Sequence, residues 1–195
     1  MNYTGFSAEA QAAFQYAVDI WESLLEADEP IEIDATWASL APTTLGSASS
    51  FISRNFAGAP NADTWYVNSM ANQFAGFDVS GNAEITATFN SDFSNWYLGT
   101  DGNTPSDKYD FVSVVLHEIG HGLGFAGSAG VNDAGLGSIG QLGDPYVYDY
   151  FTQLGDVLGS GAILGYSGLP AALGNALTSD LVHWNGPKAV AFNGG

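Results

Sequence analysis

The stretch from Val112 to Phe125 constrains the fold of this chain more than any other part of the sequence. Apolar residues recur there at the spacing of one helix face, which predicts an amphipathic helix with a buried stripe. The members of that stripe are Val112, Val115, Leu116, Ile119 and Leu123. His117 and His121 stand four residues apart on the neighbouring stripe, so a helix places their rings one above the other.

Two imidazoles in this arrangement can share one metal ion, because ring nitrogens bind Zn²⁺ at about 2.0–2.1 Å. Glu118 lies about 100° around the helix from His117 and can reach a water molecule beside the metal. The pattern also occurs by chance on ordinary surface helices, but the apolar stripe beside it favours a helix that lines a cleft. The sequence therefore predicts a zinc site with His117 and His121 as ligands and Glu118 as general base.

The limits of this helix can also be predicted from the sequence. Asp107 is a plausible N-cap residue, and Asp110 in the first turn favours the helix dipole. Gly122 and Gly124 tolerate a left-handed turn, so we expect the helix to end directly after the second histidine.

The segment His117–Phe125, HEIGHGLGF, resembles the opening of the metzincin signature of zinc proteases. Softer similarity to bacterial secreted zinc metalloproteases extends through residues 96–105, 109–118, 148–151 and 184–190. The resemblance implies an α+β, zincin/metzincin-like catalytic domain: a mixed sheet with a long N-terminal helix and an active-site helix. It also implies a secreted bacterial zinc-dependent endopeptidase that hydrolyses peptide bonds with metal-activated water and Glu118 as general base.

The third zinc ligand departs from the compact metzincin signature. Its usual place, six residues after the second histidine, is Gly127, which cannot bind metal. Leishmanolysin-like relatives carry the third histidine further downstream. The third ligand here is therefore either His183, the one remaining histidine, or a residue beyond Gly195.

Metzincins also place a methionine turn beneath the zinc, after the third ligand. The two methionines of this chain, Met1 and Met70, both precede the motif. Since both missing parts are expected downstream, we expect a single metalloprotease catalytic domain over residues 1–195 that is truncated at its C-terminus.

The charge balance excludes several classes of partner. Three Lys and Arg residues stand against 21 Asp and Glu, which gives a net charge of −18 and leaves no basic face for nucleic acid. No apolar run approaches the roughly 18 residues of a membrane span. We therefore expect a monomer that acts on a protein or peptide substrate and binds no nucleic acid. The first residues lack the pattern of a leader peptide, so either the protein is cytosolic or its leader was removed, and the resemblance to secreted proteases favours removal on secretion.

Three further elements can be assigned from sequence patterns. Ser7 is a predicted cap for a helix that runs to about Ala27. Strict alternation predicts strands at Ile31–Trp37 and Glu84–Phe89. Because the strand before the metzincin active-site helix binds extended substrate, Ile85–Asn90 is a candidate for such edge pairing, although an ordinary sheet strand fits the pattern equally well.

The turn-rich segment 100–107 is a lesser candidate for Ca²⁺. Its side-chain oxygens suit calcium, but their spacing does not match an EF-hand loop, and turn formation alone explains its composition.

An alternative function is a non-catalytic extracellular binding or adhesion module that retains the metalloprotease fold. Trp65, Trp96 and Trp184, if exposed, could stack on sugar rings, although packing in the core suits them equally.

Overall fold

A computed structural model describes residues 1–155 and 161–186, and it has a mixed α+β architecture, as predicted. The α-helices of this part of the chain are α1 (Ala8–Leu24), α2 (Asn68–Ala75), α3 (Phe111–Gly122) and α4 (Pro170–Leu177). Its strands are β1 (Asn2–Thr4), β2 (Ile33–Ala38), β3 (Gly46–Ser50), β4 (Ile52–Ser53), β5 (Tyr66–Val67), β6 (Ile85–Asn90), β7 (Trp96–Tyr97), β8 (Tyr109–Asp110), β9 (Gly130–Val131), β10 (Gly137–Ser138), β11 (Thr152–Leu154), β12 (Gly161–Ala162) and β13 (Val182–Trp184).

The chain divides into two compact units. The first comprises residues 1–60 and 67–125, and the second comprises residues 61–66 and 126–195. The long N-terminal helix α1 and the histidine helix α3 both belong to the first unit. This division concerns compactness alone, so the single catalytic domain over residues 1–195 stays a prediction.

The first unit is built on a four-stranded sheet with the order β1, β2, β6, β3. The strands β1, β2 and β6 run parallel, and β3 runs antiparallel to β6. Ile33 and Ala35 of β2 and Ile85, Ala87 and Phe89 of β6 are all buried. These alternate residues share one face of the sheet, which is the face that α1 and α3 cover.

Of the two interpretations of Ile85–Asn90, the ordinary sheet strand is confirmed and the substrate-binding edge strand is wrong. This strand is β6, and its two sides are occupied by β2 and β3. The strands at the two edges are β1 and β3, and β3 is rich in serine and carries little hydrophobic signal of its own. Alternation in the sequence identifies a half-buried strand but cannot tell which neighbours it pairs with.

Aromatic rings fill the centre of the first unit where α1, β6 and α3 meet. Phe14 of α1 contacts Phe89 of β6 at a ring-centroid distance of 5.6 Å, and Phe89 contacts Phe111 of α3 at 5.2 Å, both edge to face. All three side chains are fully buried. Burial of one such side chain stabilises the fold by about 1.5–3 kcal/mol, so this cluster fixes α3 firmly on the sheet.

The helix α1 begins as predicted but ends earlier. The Ser7 hydroxyl accepts a hydrogen bond from the Ala10 amide at 3.2 Å, which confirms its role as the N-cap. The helix ends at Leu24 and not near Ala27. Beyond it, the amides of Asp28 and Glu29 donate to the side-chain oxygen of Gln73, so tertiary hydrogen bonds replace the last helical turn.

The N-cap of α3 is Asp110, and the prediction of Asp107 is wrong. The Asp110 carboxylate accepts a hydrogen bond from the Ser113 amide at 2.9 Å. The helix starts later than predicted because Tyr109 and Asp110 first pair with Trp96 and Tyr97 as a short parallel ladder. The C-terminal limit is confirmed: α3 ends at Gly122, and Gly124 has a φ of 110°.

The second unit contains smaller elements. The strands β12, β11 and β13 form an antiparallel sheet, and β9 and β10 form an antiparallel hairpin. The buried Asp149 carboxylate accepts hydrogen bonds from the Ser128 and Tyr146 amides at 2.9 and 2.8 Å. Across both units, none of the helices in the described residues is long and apolar enough to cross a membrane.

The contact between α3 and β6 predicts opposite effects for two alanine substitutions. A Cβ atom on Gly122 would lie 2.6 Å from three side-chain carbons of Ile85, whereas one on Gly120 would lie 3.7 Å from the Trp21 ring. We expect Gly122→Ala to lower the unfolding free energy by about 1–3 kcal/mol through overpacking. Gly120→Ala is expected to raise it by about 0.5–1 kcal/mol, because alanine favours the helix.

Urea denaturation of metal-free protein measures both changes without a contribution from bound metal. Equal effects of the two substitutions would contradict the close approach of α3 to β6.

Candidate metal centre

The helix α3 brings together the three predicted site residues. Its buried stripe, Val112, Val115 and Ile119, packs on the core and leaves the neighbouring stripe facing outward. His117 is exposed, and His121 is partly exposed. Both rings are therefore accessible, as a cleft-lining metal site requires.

The two imidazole rings converge through one nitrogen each. The Nε2 atoms of His117 and His121 lie 3.0 Å apart, and the ring planes are 84° apart at a centroid distance of 4.5 Å. Two nitrogens bound to one tetrahedral zinc are separated by about 3.3 Å. The nitrogen pair therefore lies within a few tenths of an ångström of the spacing that a shared zinc ion requires.

A backbone carbonyl sets the tautomer of His121. Its Nδ1 atom lies 2.8 Å from the carbonyl oxygen of Phe125. A carbonyl can only accept a hydrogen bond, so Nδ1 carries the proton and Nε2 of the neutral ring presents its lone pair. Histidines that bind metal are commonly oriented by such a bond from the second ring nitrogen.

The turn after α3 explains why glycine stands at position 124. The amides of Gly124 and Phe125 donate back to the His121 and Gly120 carbonyls at 3.1 and 3.0 Å. Gly124 adopts a φ of 110°, and a Cβ atom there would lie 2.8 Å from the Met70 sulfur. This turn places the Phe125 carbonyl over His121, a role for Phe125 that the sequence reasoning missed.

The exposed His117 ring lines a groove of about 570 Å³ in the first unit, and His121 follows one helical turn further along α3. One wall is α3, through Ser113, Val114, His117 and Glu118, and the other is formed by residues 43–46. These wall residues comprise the start of the edge strand β3 and the loop before it. Glu118 thus lies in the same concavity as His117, where a substrate could reach both.

Asn90 fixes the second wall of the groove. Its side-chain amide donates to the Ala41 and Thr44 carbonyls at 3.1 and 2.9 Å, and its side-chain oxygen accepts from the Leu40 amide at 3.2 Å. Asn90 is 1% exposed, so the side chain that anchors this loop is itself buried in the protein interior. Sequence reasoning missed this residue because its partners are 46–50 positions away.

A third ligand is not evident beside the pair. Within residues 1–155 and 161–186, no three His, Cys, Asp or Glu side chains group closely enough to hold a metal ion. His183 lies exposed on β13 in the second unit. A Cβ atom added to Gly155 would lie 2.7 Å from the His183 Nε2 atom, so this nitrogen packs closely over the Gly155 backbone.

The calcium candidate at 100–107 has a local structural role. The Asp101 carboxylate accepts hydrogen bonds from the Tyr97 hydroxyl at 2.6 Å and the Asn103 amide at 3.0 Å. The Tyr97 bond, followed by the amide bond, lowers the pKa of Asp101 below its ordinary value. Turn formation accounts for these contacts, and calcium binding by this segment stays a prediction.

The three tryptophans of the alternative function differ in their surroundings. Trp96 is half-buried among aromatic rings and donates its indole hydrogen to the Asn90 carbonyl at 2.9 Å. Trp65 is half-buried and donates to the Gln141 carbonyl at 2.8 Å. Only Trp184 is among the exposed residues, at 38%, with its ring stacked on Tyr148. Of the three indoles, Trp184 is thus the one exposed enough to stack on a sugar ring, whereas Trp65 and Trp96 are half-buried.

Comparison with known proteins defines the family. The model of the SPBPB7E8-like family matches residues 4–142, and the chain belongs to this family. The match includes α3 and residues 43–46, so the whole groove lies within the matched region. No curated protein and no solved structure matches the chain.

The convergent nitrogens predict that zinc binding depends on both histidines of α3. We expect His117→Ala and His121→Ala each to weaken zinc binding by more than about tenfold, because even an outer partner of a metal ligand contributes about 10–100-fold. Competition with a chromogenic zinc chelator measures the affinity.

His183→Ala is the matched control, since it removes the one other histidine. We expect it to leave the zinc affinity unchanged, because its Nε2 packs on Gly155. A loss as large as that of His117→Ala would instead assign His183 as the third ligand.

Proposed function

We propose that this chain is the catalytic region of a zinc-dependent endopeptidase with a zincin/metzincin-like fold. One observation carries the proposal: the Nε2 atoms of His117 and His121 lie 3.0 Å apart, and His117 lines a groove together with Glu118. The shared sheet, the long helix α1 and the active-site helix α3 are consistent with this class of fold.

The two histidines of the site suit zinc better than Ca²⁺ or Mg²⁺. Imidazole nitrogens are common zinc ligands, whereas Ca²⁺ and Mg²⁺ prefer oxygen. The hydrogen bond from His121 Nδ1 to the Phe125 carbonyl orients the ring and leaves Nε2 free to bind. His117 would complete the pair with its own Nε2.

Glu118 is the proposed general base. A bound zinc ion would supply Lewis acidity toward the scissile carbonyl and would lower the pKa of water at the site. The Glu118 carboxylate would accept a proton from the attacking water molecule and then donate it to the nitrogen of the leaving amine. The position of Glu118 next to His117 on the wall of the groove supports this role.

The edge strand β3 is the proposed binding site for the substrate backbone. The backbone amide of Asn90 donates to the Leu45 carbonyl at 3.0 Å, so every second residue counted from Leu45 points its backbone groups toward β6. The residues between them point their backbone groups away from β6, and Ala48 is one of these, so its amide faces outward from the sheet. An extended peptide could pair with these outward groups as an added strand beside His117.

Glu118→Gln tests the chemical step. We expect this substitution to lower the rate of cleavage of a fluorescently labelled casein by about 10²–10⁴-fold, because glutamine cannot take up the proton. The zinc affinity should stay unchanged, since Glu118 is not a proposed ligand. Full activity of the Glu118→Gln variant would exclude the proposed mechanism.

Ala48→Pro tests the substrate edge. Proline has no amide hydrogen to donate to the substrate. We expect this loss to lower kcat/KM for peptide cleavage by about two- to tenfold, which corresponds to the net free energy of one backbone hydrogen bond. Ala48→Val is the matched control, because it changes the side chain but keeps the amide. Equal losses in the two variants would show that the side chain, and not the backbone edge, matters.

The second candidate function is a non-catalytic extracellular binding module. Trp184 favours it, because its exposed ring is stacked on Tyr148 and could contact a sugar. The casein assay separates the two functions, since an adhesion module would show no cleavage that depends on Glu118.

A further inference from the structure

Two adjoining cavities lie in the first unit on the face of α3 that carries Leu123. Their volumes are about 450 and 250 Å³. They share five lining residues, Trp21, Leu25, Ala27, Ile31 and Leu123. Because these residues form a common wall, the two cavities are parts of one depression, which is called the apolar groove below.

Large apolar side chains of the apolar groove face solvent. Leu25 is 40% exposed, and the adjacent Leu24 is 69% exposed. Small or aliphatic residues, Ala27, Pro30 and Ile31, continue the lining. Several such residues side by side form a contiguous surface of the kind that binds a partner.

The rim of the apolar groove is acidic. Glu22, Asp28 and Glu29 line the larger cavity, and Glu26 lines the smaller one. No lysine or arginine is among the residues that line either cavity in the described part of the chain. In a chain of net charge −18, this rim attracts cations.

We propose that the apolar groove binds a basic polypeptide segment in which two large apolar side chains are flanked by lysine or arginine. Two cavities with a common wall suit two side chains of one segment. The acidic rim supplies the charge complementarity for the flanking cations. Trp21 lines both cavities and adds an aromatic surface on which an arginine or an apolar side chain can pack.

Charge disfavours the two other occupants of such a groove. A second copy of this chain would bring one acidic rim against another and has only three basic residues to offset it. An anionic membrane surface would likewise be repelled by the rim. A basic segment therefore complements both the apolar and the charged features of the groove.

The test is the binding of a short fluorescent peptide in which pairs of leucines alternate with pairs of lysines. A chelator keeps the protein metal-free, so that the peptide is not hydrolysed and the result does not depend on the proposed peptidase activity. We expect saturable binding that weakens with added salt. A peptide with serine in place of every leucine should not bind.

Two variants locate the binding site. Ala27→Trp places a large ring at the wall that the two cavities share, and it should weaken peptide binding by at least about tenfold. The combined substitutions Glu22→Gln, Asp28→Asn and Glu29→Gln remove charges of the acidic rim, and they should weaken binding by a similar factor. The matched control removes three other exposed acids by Asp107→Asn, Asp133→Asn and Asp180→Asn, and it should retain the affinity. Circular dichroism verifies that each variant is folded.

Several results would overturn the proposal. Equal losses in the two triple variants would indicate nonspecific attraction by net charge, and equal binding of the serine peptide would exclude apolar recognition. A dimer in sedimentation velocity that Ala27→Trp dissociates would assign the groove to a second copy of the chain. Absence of peptide binding would exclude a basic segment as the occupant.

Discussion

The burial of one face of α3 against the core positions the candidate metal centre. Val115 and Ile119 are almost completely buried, and the Trp21 indole donates to the Leu116 carbonyl at 3.2 Å. Removing these side chains from the core would expose apolar surface at a cost of about 1.5–3 kcal/mol each, so the helix cannot rotate freely. With that face fixed inward, the neighbouring stripe places His117 in the groove and leaves the His121 ring partly exposed.

Glycines allow α3 to approach its neighbours closely enough for this burial. A Cβ atom on Gly122 would lie 2.6 Å from Ile85, and one on Gly46 would lie 2.9 Å from the Phe89 ring, so both glycines permit a close approach. Gly124 then turns the chain so that the Phe125 carbonyl meets His121. The glycines around the histidines therefore serve close packing and ligand orientation, in addition to ending the helix.

In this chain, which has only three lysine and arginine residues, neutral amide groups form the hydrogen bonds of the buried polar side chains of Glu84 and Asn90. The Glu84 carboxylate is 3% exposed and accepts hydrogen bonds from the Glu32 amide and the Asn72 side chain at 2.6 and 2.8 Å. Asn90 holds the groove loop in a similar way. Amides therefore satisfy Glu84 and Asn90 without a lysine or arginine partner, and the acidic surface remains available to attract cations.

Much of the first unit follows from local sequence signals. The spacing of apolar residues predicted α1, β2, β6 and α3 to within a few residues, since helix and strand periods reflect local geometry. The N-cap of α3 is Asp110 and not the predicted Asp107, because the pairing of β7 with β8 occupies the segment directly before the helix. The strand β3 gives only a weak sequence signal, since its serines carry no strong alternation.

The sequence by itself determined that two histidines and a glutamate share a helix that is buried on one side, because their spacing and the apolar stripe are properties of a single helix. Only the tertiary structure decided that β3, and not β6, is the free edge beside them, and that Asn90 holds the opposite wall. Strand pairing and long-range hydrogen bonds join residues far apart in the chain, and no local pattern encodes them.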